Sequence, residues 1–73
     1  MANELTDAQK KECAQLRVIY PQAKSWCFLV GNDRQNGFKE PEQAYLAGLN
    51  RREELGLSKE NYPISVNGLT TPV

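Results

Sequence analysis

The run Ser25-Trp26-Cys27-Phe28-Leu29-Val30 constrains this chain more than any other segment. Aromatic and β-branched residues at alternate positions make it a strand. Trp26, Phe28 and Val30 fall on one face of that strand, Cys27 and Leu29 on the other. A strand that is apolar on both faces belongs at the centre of a sheet or under cover on both sides, not at an exposed edge. With 73 residues, the chain supports one core and no second one. Residues 1–73 are therefore expected to form a single small domain around this strand. A core of that size nets only about 3–5 kcal/mol unless something staples it.

The flanking segments read as helices. Thr6 is a good N-cap, Gln9 completes a reciprocal capping box, and Asp7 places negative charge at the positive end of the helix dipole. Cys13, Leu16, Ile19 and Tyr20 then recur at helical spacing as the buried stripe. Pro21 ends the helix, because the residue before a proline disfavours helical backbone. The first helix is thus expected over about 6–20. A second is expected over about 41–55, opened by Pro41 at the first helical position. Its buried face is read as Tyr45, Gly48, Leu49 and Leu55, with Ala44 at the margin. Gly56 is its left-handed C-cap, and Leu57 follows where a Schellman motif makes its apolar contact.

Between strand and second helix lies Gly31 through Lys39. Asn36-Gly37 is a strong turn dipeptide, so the stretch forms either a short hairpin returning through Phe38 or a surface loop. Tyr62 to Asn67 reads as a further strand, with Ile64 and Val66 inward. Pro63 confines it to an edge or to the very start of a strand. Asn67-Gly68 ends it, and residues 69–73 read as a loose C-terminal tail. The order helix-strand-helix-strand predicts an α+β fold: a small two-layer domain with two helices on a two- or three-stranded sheet. Antiparallel pairing is favoured over a lone parallel pair, with Phe38 able to extend a third strand.

Several chemistries have no sequence basis. The chain has no histidine, which removes His-ligated metal sites and His-based triads. Cys13 and Cys27 match neither a CxxC redox pair nor a paired zinc knuckle, and two thiolates alone cannot close a four-ligand zinc site. Their apolar neighbours make them buried, reduced thiols; a Cys13–Cys27 disulfide is the alternative. No Gly-rich phosphate or dinucleotide pattern occurs, and Glu40/Glu42 and Glu53/Glu54 read as helix-terminal and solvated charge. No catalytic residue, metal or cofactor is expected, and the chain reads as a non-enzyme. The first residues lack the apolar stretch of a signal peptide. The longest apolar run, Trp26 to Val30, is too short to span a bilayer, so the chain reads as cytoplasmic, without a membrane partner.

Nine Lys+Arg balance nine Asp+Glu. The bases lean toward residues 1–39 and the acids toward residues 40–73. Lys10, Lys11, Arg17 and Lys24 make at most a modest basic patch, which suits nucleic-acid contact only within a larger complex. Protein binding remains, with two candidate surfaces. The segment Gly31–Lys39 offers Arg34, Asn36, Phe38 and Lys39, an apolar anchor among polar donors; Phe38 folded into the core is the alternative. Arg51-Arg52-Glu53-Glu54 is the second, against solvated charge with local pairing. The exposed side of Leu46 could extend either.

In length, capped helices and lack of histidine and catalytic residues, the chain resembles the small transcription regulators of lytic Xanthomonas bacteriophages. That resemblance implies binding to a bacterial RNA polymerase subunit, shut-off of host promoters and antitermination, in the host cytoplasm. It rests on size and organisation and assigns no residue a role. Anti-CRISPR and other anti-defence inhibitors share the same style and form the alternative, with a small nucleic-acid-binding module as a third.

Overall fold

The computed structural model describes residues 4–73; residues 1–3, which the single-domain reading includes, lie outside the described residues. The elements run α1 (Asp7–Ile19), β1 (Ser25–Val30), β2 (Asp33–Phe38), α2 (Pro41–Glu54) and β3 (Ser65–Leu69). The three strands form one antiparallel sheet in the order β2-β1-β3. Both helices pack on one of its faces, so the fold is a small two-layer α+β domain. The doubly apolar run is its central strand, as its sequence demands.

Local chemistry sets the helix ends. At α1, the Thr6 hydroxyl accepts from the Gln9 N–H at 3.2 Å and the Thr6 N–H donates to Gln9 Oε1 at 2.8 Å, which satisfies two of the helix's free donors. At α2, Pro41 occupies the first turn and is buried. Gly56 takes a φ of 69°. Its N–H donates to the Glu53 carbonyl and the Leu57 N–H to that of Arg52, both at 3.1 Å. This is a complete Schellman motif, and it swings Leu57 back onto the core.

Trp26, Phe28, Val30, Ala44 and Val66 form the buried cluster. Ala44, expected at the margin, lies at its centre. Small residues let α2 approach the sheet closely: a Cβ on Gly48 would sit 2.8 Å from Ile64 Cγ2 and 3.2 Å from Phe28 Cγ. Leu55, expected in the buried face, is instead exposed. It is the helix's C-cap, and the apolar contact passes to Leu57. Ile19, expected in the buried stripe of α1, is 65% exposed. Among the described elements, α1 packs against α2 and β3 alone, at one side of the helix layer. Its buried stripe is therefore narrow, running through Cys13 and Leu16.

The segment 31–39 forms the hairpin, not the loop, but its turn is not at Asn36-Gly37. Val30 pairs with Asp33, leaving Gly31-Asn32 as a two-residue connection. Gly31, with φ 59° at the first central position, supplies the conformation that a type II′ turn requires. Asn36-Gly37 lies inside β2 as a bulge. Trp26 pairs with Phe38 and Phe28 with Gln35, so two residues of β2 oppose Cys27 alone. Gly37 carries the bulge at φ 93°.

β3 begins later than its sequence suggests and runs through Asn67-Gly68 instead of ending there. Gly68 pairs with Trp26. A Cβ on Gly68 would lie 2.7 Å from Tyr20 Cβ and 2.8 Å from that of Ala23. Glycine here marks a close approach of the α1–β1 connection to the strand, not a turn. Leu69, expected in a loose tail, closes β3 and accepts from the Lys24 N–H at 2.7 Å. Beyond it, the Thr71 carbonyl accepts from the Ser25 hydroxyl at 2.6 Å.

Candidate binding face on the open side of the sheet

The helices leave the second face of the sheet uncovered. The pairing register assigns to it Ser25, Cys27 and Leu29 of β1, Arg34 and Asn36 of β2, and Ser65, Asn67 and Leu69 of β3. Leu29 is 40% exposed there. Ser25 forms part of a groove whose other lining residues are Arg34, Asn36 and Gly37 of β2 and, beyond β1, Leu69, Thr71, Pro72 and Val73. The hydrogen bond from Ser25 to Thr71 ties the C-terminal side of this groove to the central strand. Cys27 is buried although it lies on this face.

The bulge decides which residues of the hairpin reach the groove. In an unbroken strand Arg34, Asn36 and Phe38 would share one face. The extra residue at Gly37 reverses the alternation, so Arg34 and Asn36 stay on the open face while Phe38 turns to the other. There its ring lies 5.9 Å from that of Phe28, packed against the core. Phe38 is thus a core residue, and the apolar element of the open face is Leu29. Lys39 follows at the sheet's margin, exposed; its N–H donates to Gln43 Oε1 at 3.2 Å.

The second candidate patch is on the helix side and is occupied with holding the fold together. Arg51 Nε donates to Asp33 Oδ2 at 2.7 Å and Arg51 Nη1 to Glu54 Oε2 at 3.2 Å. The first bond ties the end of α2 to the start of β2. Arg52 donates to the Tyr62 carbonyl at 3.1 Å, pinning the connection that leads to β3. Leu46 is half-buried and borders a separate shallow depression with Leu5, Lys10 and Gln43. The structure therefore joins Arg34 with Asn36 and separates both from Phe38, Arg51 and Arg52. It adds Leu29, Leu69 and the segment after β3. Leu29 had a signal in the sequence, as the apolar residue opposite Trp26, Phe28 and Val30. The groove wall at Thr71 to Val73 had none.

A second charge cluster joins the helices. Arg17 on α1 binds Glu42 through both terminal nitrogens, Nη2 to Oε1 at 2.6 Å, and reaches Glu40 Oε2 at 2.6 Å. The hydrogen bonds from Arg17 hold the Glu42 carboxyl below its ordinary range. The two carboxylates in turn hold Arg17 more firmly protonated. Cys13 and Cys27 are both free thiols and both buried. Burial foremost, and then the nearby Glu42 charge, pushes the Cys13 thiol up to about 11, which keeps it protonated and unreactive at neutral pH.

Among the described residues, no group of three or more His, Cys, Asp or Glu side chains could hold a metal ion. No helix among them is long and apolar enough to cross a membrane. Comparison of the chain with protein-family models, with curated proteins and with solved structures returns no significant match.

Proposed function

We propose that this chain is a non-enzymatic, protein-binding regulator that docks through the open face of its sheet. The observation that carries the reading is that face itself: half-exposed Leu29 on the central strand, beside a groove walled by Arg34 and Asn36. An apolar residue among polar donors on a rigid sheet is the composition of a binding hot spot with its rim. The partner we propose is bacterial RNA polymerase, with shut-off of initiation at host promoters and antitermination as the outcome in the host cytoplasm. What supports that partner is the likeness in size and organisation to the phage transcription regulators.

Capture from bacterial lysate tests both parts. The chain is immobilised beside its Leu29→Asp variant. Polymerase subunits retained by the first and lost from the second are the expected result. Retention of a Cas or other immune complex replaces the partner with an anti-defence target. Equal retention on both proteins removes the open face as the docking surface.

A further inference from the structure

The open face lacks a charge that the rest of the molecule has in quantity. None of the nine acidic residues occupies an outward position of the sheet or lies in the segment after β3. Glu4, Asp7 and Glu12 belong to α1 or its approach, and Glu40, Glu42, Glu53 and Glu54 to α2 or its cap. Glu60 lies in the connection before β3. Asp33 is on the sheet, but its register places it on the helix side, where Arg51 holds it. The arginines divide in the same way. Arg17, Arg51 and Arg52 are bonded within the fold. Arg34 alone of the four is exposed with its guanidinium bonded to no described residue, and it borders the groove.

We infer that this groove takes an acidic, extended segment of a protein partner, with a carboxylate on the Arg34 guanidinium and a neighbouring apolar side chain against Leu29. This rests on the docking face proposed above and names the chemistry of what docks there. A free guanidinium offers a planar fork that matches a carboxylate with two parallel hydrogen bonds. The Asn36 amide supplies further donors on the same wall. No acidic side chain lines the groove, so an incoming anion meets no side-chain repulsion there. The same features disfavour nucleic acid. A phosphate chain requires several cations in a row, whereas here Arg34 stands in the groove with Lys39 beyond it at the margin. The aromatic rings of β1 and β2 that could stack on bases, Trp26, Phe28 and Phe38, all pack on the helix side.

The test titrates the isotopically labelled protein with the peptide acetyl-Glu-Glu-Leu-Glu-Glu-amide, and separately with oligothymidylate, following backbone amide shifts. Saturable shifts confined to β1, β2 and the segment after β3, weakening as salt rises, are expected for the peptide. Arg34→Gln should weaken that binding roughly tenfold, the usual loss for one charge-assisted hydrogen bond, and Arg34→Lys should restore part of it. The inference is overturned by an absence of shifts, by equal binding to the Arg34→Gln variant, or by oligothymidylate moving the same amides more strongly. A lysate partner whose capture depends on Leu29 but survives Arg34→Gln keeps the docking face and overturns the acidic segment.

Discussion

Trp26 shows how much of this fold hangs on single side chains. Its ring meets that of Tyr20 edge-on, with centroids 5.9 Å apart. The Tyr20 hydroxyl donates in turn to Asn67 Oδ1 at 3.0 Å, so one aromatic pair links α1's exit to β1 and β3. Removing a buried aromatic costs about 3–5 kcal/mol, which matches the whole stability of a core this size. Trp26→Ala is therefore expected to be unfolded at 25 °C, seen as loss of a cooperative urea transition; a folded variant would show that the core is larger than this. Cys13 makes a pH prediction. Its thiol rises from an ordinary 9.0 to about 11 on folding. The native state thus holds a proton that the unfolded chain releases, and the related stability is complete below pH 9 and is lost as pH climbs through 11. Tyr45, whose phenol is raised chiefly by burial, adds the same sign. The midpoint of urea unfolding should fall across that window, and less so in Cys13→Ala. The cysteines were legible in the sequence as buried hydrophobes, because their neighbours alone argue it. That Ile19 would be exposed was not, because periodicity gives the direction of a stripe and not how much of it the sheet can reach.

Among the elements, β2 is the one whose role depends on a single backbone position. Gly37 has open space around it and a φ of 93°, so its glycine is required by conformation and not by crowding. Deleting Gly37 would remove the extra residue and leave Phe38 opposite Trp26 on the helix side, so the test of what the bulge achieves is Phe38→Ala, which takes the ring out of the core. The expected loss is about 2–3 kcal/mol, the value of burying one large apolar side chain, read from denaturant unfolding. Retained stability would mean that Phe38 contributes little to the core. The helices depend on each other through Arg17. Because Glu42 titrates below its ordinary 4.5 when folded, its contribution is present above that value and is lost as pH falls through the folded one. Acid should therefore narrow the stability gap between the native chain and Arg17→Met. The pair is half-exposed, so added salt should narrow it too. The caps at both helices could be read directly from Thr6, Gln9, Pro41 and Gly56. The Arg17 clamp could not, since it joins residues 25 positions apart.

At the scale of the whole molecule, the two layers separate stability from recognition. The helix side carries the buried cluster and the ion pairs of Arg17 and Arg51, while the open face carries Leu29, Arg34 and Asn36. Substitutions on that face should leave the fold intact. Arg34→Gln is expected to shift stability by no more than about 0.5 kcal/mol and Leu29→Asp, on the central strand, by about 1 kcal/mol, measured by thermal unfolding, while both change what the protein binds. Phe38→Ala belongs to the other class and should destabilise. The expectation that Arg34 and Phe38 act together therefore gives way to a division of labour.

The linear sequence determined what neighbouring residues decide among themselves: where each helix begins and stops, and which run makes the central strand. Capping, proline geometry and side-chain alternation act over a few residues and leave visible marks. The tertiary structure alone decided which face of β2 each residue serves, why Gly68 lies within a strand, and which arginine is left free. Those outcomes depend on what approaches from elsewhere in the chain. Tyr20 fills the space beside Gly68, the bulge opposite Cys27 reverses the alternation, and carboxylates from α2 and β2 occupy Arg17 and Arg51 but do not reach Arg34.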